Sequence, residues 1–208
     1  LASLISNIEE FNSDGNYLFS IMRGFRLEKL LFRLLDEKEF LSDYGIRSLS
    51  KYHEEHPYVF QHNGHHQIQY ESGESQSNMF GGNSNWRGPI WLPLNYMIIQ
   101  SLRKYFSYYG KEYIYEFPTG SGVKMNLNEI ANEISKRLIK LFEPDENGKF
   151  VYHSEDDNHV FTKNEHFKKE HFFYEFFDGD SGKGLGASHQ TGWTALVANL
   201  IMELEQNS

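Results

Sequence analysis

The apolar positions of this chain fall into four helical faces separated by long polar stretches. Leu27, Leu30, Leu31, Leu34 and Leu35 recur at three- and four-residue spacing, which predicts a helix with one buried face. Leu94, Met97, Ile98, Leu102, Tyr105 and Phe106 mark a second, with Pro89 placed where a first helical turn tolerates proline. Leu127, Ile130, Ile134, Leu138, Leu141 and Phe142 mark a third, closed by Pro144. Trp193, Leu196, Val197, Leu200, Ile201 and Leu204 mark the fourth, the most regular of the set. No alternating strand pattern competes; Phe150-Val151-Tyr152 and Ile68-Gln69-Tyr70 suit only small ribbons within loops.

Two long loops remain, roughly residues 42–88 and 144–189. Ordered loops of that length usually build a site. Each ends in an aromatic-rich motif just before a helix. This plan of loop, candidate site residues and apolar helix resembles a helical toroid whose connecting loops line one open rim. Four helices are too few to close such a ring, so the expected fold class is all-α and only part of a toroid.

Composition narrows the function classes. The 208 residues are 39% hydrophobic and 24% charged, the balance of a globular chain long enough for one domain of ordinary size. The net charge of -9 argues against a nucleic-acid groove, which needs a basic face. No run of 18 apolar residues exists, so no membrane span is expected. Cysteine is absent, which excludes disulfides and thiol chemistry. No Asn-x-Ser/Thr acceptor occurs either, and the two absences together point to a cytoplasmic setting. The first residue is Leu1 with no charged and apolar leader behind it; this suggests a fragment or processed chain without a signal peptide.

The candidate chemistry lies in the two motifs. Phe172-Phe173-Tyr174-Glu175-Phe176-Phe177-Asp178 sets a carboxylate among five aromatic rings, and glycines follow at 179, 182, 184 and 186. Apolar rings exclude water around a carboxyl and suit it to proton transfer, so Glu175 is the candidate acid or base. A carboxylate that only caps a loop or pairs with Arg or Lys fits the same residues. Asn83-Ser84-Asn85-Trp86-Arg87-Gly88-Pro89-Ile90-Trp91 offers indole faces for the C–H face of a pyranose and a guanidinium for hydroxyls or a carboxylate. It also offers a glycine for close backbone approach. Trp86 and Arg87 are read as site residues and Trp91 as a buried anchor. Most of the 17 Phe belong to the core.

Other motifs are set aside. Asp178-Gly179-Asp180-Ser181-Gly182 lacks the glutamate of a calcium loop, because His189 occupies that place, and it is read as a turn. His53-Glu54-Glu55-His56 spaces its histidines by three, one short of the helical zinc motif. Residues 179–186 carry no Gly-Lys-Ser/Thr, and no Gly-x-Ser-x-Gly occurs, so neither a nucleotide loop nor a serine hydrolase elbow is read. No metal and no cofactor are expected.

Several of these residues together resemble a known family. Asn85-Trp86-Arg87-Gly88-Pro89-Ile90-Trp91 through Asn95-Tyr96, Tyr174-Glu175, and Gly184 through His189-Gln190-Thr191-Gly192-Trp193-Thr194-Ala195 are similar to the C-terminal part of glycoside hydrolase family 63. The segment from Asp36 to Ser50, with Tyr44 at its middle, is similar to the family's entry to the rim. The resemblance implies about half of an (α/α)6 toroid, with residues 1–208 as the C-terminal portion of a single catalytic domain. It implies inverting hydrolysis of α-linked, glucosyl saccharides. Glu175 matches the general base, and no segment here matches the general acid Asp, which would lie outside this chain. Trp86, Arg87, Gly88, Tyr44, Tyr174 and Gln190 would bind the substrate. The implied partners are an oligosaccharide or small glucoside and the remainder of the same domain, with no nucleic acid and no membrane. Two other readings stay open. One is a catalytically inactive carbohydrate-binding or scaffold fragment; the other is a sugar epimerase or lyase using His189 or Tyr174 as proton carrier.

Overall fold

The computed structural model describes residues 14–15, 18–22, 24–61, 64–76, 85–153, 163–167 and 170–206. The first helix, α1 (Phe25–Leu34), turns Leu27 and Leu31 inward. The second, α2 (Leu92–Tyr109), buries Leu92, Asn95, Ile99 and Leu102 along one face and stops at Gly110. Pro93, not Pro89, occupies its first turn, because Pro89 and Ile90 are drawn into strand pairing. The Ser48 N–H donates to the Pro89 carbonyl at 3.1 Å. Helix α3 (Leu127–Lys140) begins with a reciprocal cap. The Asn126 side chain accepts from the Asn128 and Glu129 N–H groups, and the Glu129 carboxylate accepts from the Asn126 N–H. Such a cap satisfies donors that a helix start otherwise leaves orphaned. The helix ends at Lys140, ahead of Pro144. The fourth helical face breaks at Ala195 into α4 (Thr191–Thr194) and α5 (Leu196–Gln206). Helix α3 packs on α2, and α5 lies against both.

Between the helices, among the described residues, lie four two-stranded antiparallel sheets: β1 (Leu41–Ser42) with β2 (Gly45–Ile46), β3 (Tyr58–Gln61) with β4 (His65–Ile68), β5 (Ile114–Glu116) with β6 (Lys124–Asn126), and β7 (Phe176–Phe177) with β8 (Gly184–Leu185). The expected all-α class, about half of an (α/α)6 toroid, is therefore corrected. The described residues form a mixed α/β arrangement, and no toroid is seen among them. The segments read as long loops hold three of the four sheets, and β5 and β6 lie between α2 and α3. Strands of two to four residues show no alternation to read, and the one remote partner of a strand residue, Ile90 for Phe177, is a single bridge. Of the two ribbons anticipated, Ile68 joins β4, while Phe150 makes only a single bridge to Pro144.

One remote pairing organises the core. Single antiparallel bridges join Arg47 to Ile90 and Ile90 to Phe177, with Ile90 and Phe177 exchanging N–H···O bonds of 2.8 and 3.0 Å. The β1–β2 turn, the Trp86–Trp91 segment and the β7–β8 ribbon thereby become one irregular layer over α2 and α3. Asn95 locks the layer to α2: its amide accepts from the Ile46 N–H at 2.7 Å and donates to the Ile46 carbonyl at 3.0 Å. A buried side chain thus replaces a ladder neighbour, as buried backbone groups require. Among the described residues no helix is long and apolar enough to cross a membrane.

Candidate active site

The Glu175 segment is held from one side by the chain that follows it. The Glu175 N–H donates to the Ala187 carbonyl at 2.8 Å, and the Gln190 N–H to the Phe173 carbonyl at 2.7 Å. The Thr194 hydroxyl reaches the Tyr174 carbonyl at 2.6 Å, and the Trp193 indole N–H reaches the Glu175 carbonyl at 3.0 Å. The half-buried Glu175 side chain rests on the Gly186–Ala187 turn, where the Ala187 N–H donates to its Oε2 at 3.3 Å. Gly186 has φ +68°, and a methyl there would fall 2.6 Å from that oxygen. Only glycine suits both the left-handed backbone and the space.

The other glycines of the segment seat the other candidates. A side chain at Gly182 would meet the Tyr44 ring at 2.8 Å, one at Gly184 would overlap the Tyr174 ring, and one at Gly179 would meet the Gly88 carbonyl at 2.6 Å. The glycine turn is the hub against which Glu175, Tyr44, Tyr174 and Gly88 lean. The Asp178–Gly182 stretch is a turn, with Asp178 Oδ1 accepting from the Asp180 and Ser181 N–H groups at 2.9 and 2.8 Å.

An aromatic stack runs beside the carboxylate. Trp86, 50% exposed, lies face to face on the fully buried Trp91 at 3.8 Å. Trp91 stacks on Phe176 at 4.7 Å and takes the edge of Trp193 at 5.7 Å. The outer indole of this stack is the open one. Tyr174 instead turns into the core against Tyr152 and Phe177. Burial pushes its hydroxyl above the ordinary value, so it keeps its proton at neutral pH. His189 is exposed, 5.2 Å from the Phe172 ring.

Arg87 is placed differently from a hydroxyl-binding arm. It is buried, and its guanidinium donates to Glu71 Oε2 at 2.8 Å, Ser75 Oγ at 2.6 Å and Asn85 Oδ1 at 3.2 Å. It fastens the Glu71–Ser75 segment to the segment that carries Trp86. Gly88, at φ +155°, lies so close to the Glu71 backbone that any side chain would strike it. Asn83 and Ser84 lie outside the described residues. Tyr44 is half-buried and lines a cleft of about 720 Å³ with Lys140, His153 and Lys183. Burial, then Asp43 and Asp178, raises its hydroxyl above the ordinary value. Gln190 is half-buried, with its N–H on the Phe173 carbonyl. A larger cavity of about 790 Å³ lies between α1 and α2, and no carboxylate lines it.

Sequence reasoning left Trp193, Phe176 and Glu71 out of the site. A usable signal existed for the glycine hub: four glycines fall between 179 and 186, the density at which turns and close approaches need them. Behind the hub, Asp180 accepts from Arg47 Nη2 at 3.0 Å, Lys51 Nζ at 2.9 Å and the Tyr70 hydroxyl at 3.1 Å. Burial opposes its ionisation, but the Lys51 and Arg47 hydrogen bonds and charges outweigh that and hold the carboxyl below its usual range.

Comparison with known proteins points to one family. The chain matches the family model described as the glycosyl hydrolase family 63 C-terminal domain over residues 21–139, a range that ends before Glu175. It is 52% identical over 202 residues to the uncharacterized protein YMR196W of Saccharomyces cerevisiae, covering 95% of this chain and 19% of that protein. It is 30% identical over 179 residues to a probable mannosyl-oligosaccharide glucosidase of Schizosaccharomyces pombe, covering 86% of this chain and 15% of that protein. It is 29% identical over 178 residues to the mannosyl-oligosaccharide glucosidase of Saccharomyces cerevisiae, covering 85% and 15%. The chain thus spans less than a fifth of the length of these relatives. With the model match covering more than half of its residues, the chain belongs to glycosyl hydrolase family 63.

Proposed function

We propose that the full-length protein hydrolyses α-linked glucosyl saccharides with inversion, and that this chain is the C-terminal portion of its catalytic domain. Glu175 is the general base. The observation that carries the reading is the seat of the Glu175 carboxylate, half-buried on the Gly186–Ala187 turn beside an aromatic stack that ends in the exposed Trp86. A glycosidase that inverts needs one carboxyl to protonate the leaving oxygen and a second to activate water on the opposite ring face. Glu175 supplies the second, and an Asp outside this chain supplies the first. The two carboxyls then stand about 6.5–9.5 Å apart, leaving room for the water. Trp86 offers a hydrophobic face to the sugar. Tyr44 and Gln190 frame it, while Arg87, Gly88 and Tyr174 hold the frame from behind. The glucosidase names carried by the relatives support glucose as the released sugar.

The test is Glu175→Gln in the full-length protein, assayed on a panel of α-glucosides with the released anomer read by NMR. The expected outcome is β-glucose from the unsubstituted protein and a loss of about 10³-fold in the variant, with the fold intact by circular dichroism. Release of α-glucose, or an unchanged rate in the variant, removes Glu175 from this role. Sugar binding without any turnover favours the binding-only fragment.

A further inference from the structure

Strand β3 of the β3–β4 hairpin carries aromatic residues and lies open along its whole length. All four residues of β3 are exposed, including Tyr58 at 60% and Phe60 at 39%. A strand normally buries one of its two faces, and an isolated two-stranded ribbon is marginal in water. Here residues on both faces of β3 are exposed. The register places Tyr58 opposite Ile68 and Phe60 opposite His66. The rings of Tyr58, Phe60 and His66 follow one another in a stacked row, with centroids 6.1 and 5.0 Å apart.

Charge tells what the row suits. From Pro57 to Tyr70 the chain carries no Asp, Glu, Lys or Arg, although 24% of all its residues are charged. Exposed strands are ordinarily protected from wrong partners by charged side chains, and an exposed apolar patch without them marks a binding surface. The polar residues that remain are amides and imidazoles; Gln67 and Gln69, for instance, bond each other at 2.9 Å. Rings that present a negative face to C–H groups, interleaved with uncharged donors and acceptors, match a neutral sugar chain. No carboxylate, ammonium or guanidinium in this stretch favours a charged ligand instead.

The hairpin is also rooted in the candidate site. Strand β4 runs into Tyr70 and Glu71. The Glu71 N–H donates to the Arg87 carbonyl at 2.8 Å, and the Glu71 carboxylate holds the Arg87 guanidinium. Arg87 adjoins the exposed Trp86. We propose that the β3–β4 hairpin is a platform for a neutral oligosaccharide, with Tyr58 and Phe60 contacting sugar rings that lie outside the candidate site at Glu175. The proposal rests on the glycosidase reading for the class of ligand.

The experiment measures binding rather than turnover. Full-length protein carrying Glu175→Gln is titrated calorimetrically with maltoheptaose, isomaltoheptaose and nigeroheptaose, with and without Tyr58→Ala/Phe60→Ala. The expected result is binding of at least one heptasaccharide and a loss of about tenfold when the two rings are removed. Unchanged affinity in a folded double variant overturns the platform, and so does failure of all three sugars to bind. Hydrolysis by the protein with Glu175 intact is scored separately. If hydrolysis is absent while Tyr58 and Phe60 still set the affinity, the general-base reading falls and the platform stands.

Discussion

In the Phe172–Phe177 segment four of the five rings are buried, whereas in β3 every side chain is open to solvent. The residue types are nearly the same. The difference lies in what each segment meets. Phe176 finds Trp91, while Phe177 and Phe173 find Phe142. Single bridges through Ile90 bring those partners together from distant parts of the chain. The hairpin meets no such layer. Aromatic content marks places where burial or binding is available, and the supply of partners decides between them.

The two regions can be set against each other by substitution. The largest effect is expected at Trp91, whose ring contacts Trp86, Phe176 and Trp193 and is fully buried. Trp91→Ala should cost about 3–5 kcal/mol, read from the urea midpoint; a cost below about 1 kcal/mol would mean that the stack is not part of the core. Gly184→Ala drives a methyl into the Tyr174 ring and should cost about 1–3 kcal/mol by overpacking. An unchanged midpoint there would mean that the glycine hub does not seat the ring.

Asp180 joins the regions, since it binds both the glycine turn's neighbour Arg47 and the hairpin-root residue Tyr70. Its folded carboxyl lies below the ordinary value of 3.8. Its contribution is therefore full above that value and is lost as pH falls through the lower, folded value. Because the side chain is 31% exposed, solvent screening limits the effect to about 1 kcal/mol or less. Asp180→Asn should flatten the acid limb of the stability profile, and an equally steep limb would assign that limb to other carboxylates. The smallest effect is expected in the hairpin: Tyr58→Ala/Phe60→Ala should leave the urea midpoint within about 0.5 kcal/mol of the parent. A core-sized loss would show that the rings are covered after all.

Much of the helical framework was legible in the sequence. Leu127, Ile130, Ile134 and Leu138 are fully buried in α3, because helical neighbours lie three or four residues apart and the pattern is local. The strands were not legible. A two-residue strand has no period, and Ile90 meets Phe177 only through the fold. The fourth helix was read as unbroken because its apolar spacing runs straight across Ala195, where the backbone divides it. At the candidate site, the aromatic setting of Glu175 could be read from its neighbours. The commitment of Arg87 to Glu71 could not, since nothing in the Trp86–Trp91 string names a buried carboxylate elsewhere.

The amino-acid sequence by itself determined the family of this chain, its helical faces and the carboxylate among rings, all of which are carried by neighbouring residues. Only the tertiary structure decided that Trp86 is open while Trp91 is closed, that Arg87 serves an internal ion pair, and that four glycines seat four candidate residues. Burial and ion pairing depend on atoms brought together from remote segments, and close packing leaves room for a side chain in one place and none in another.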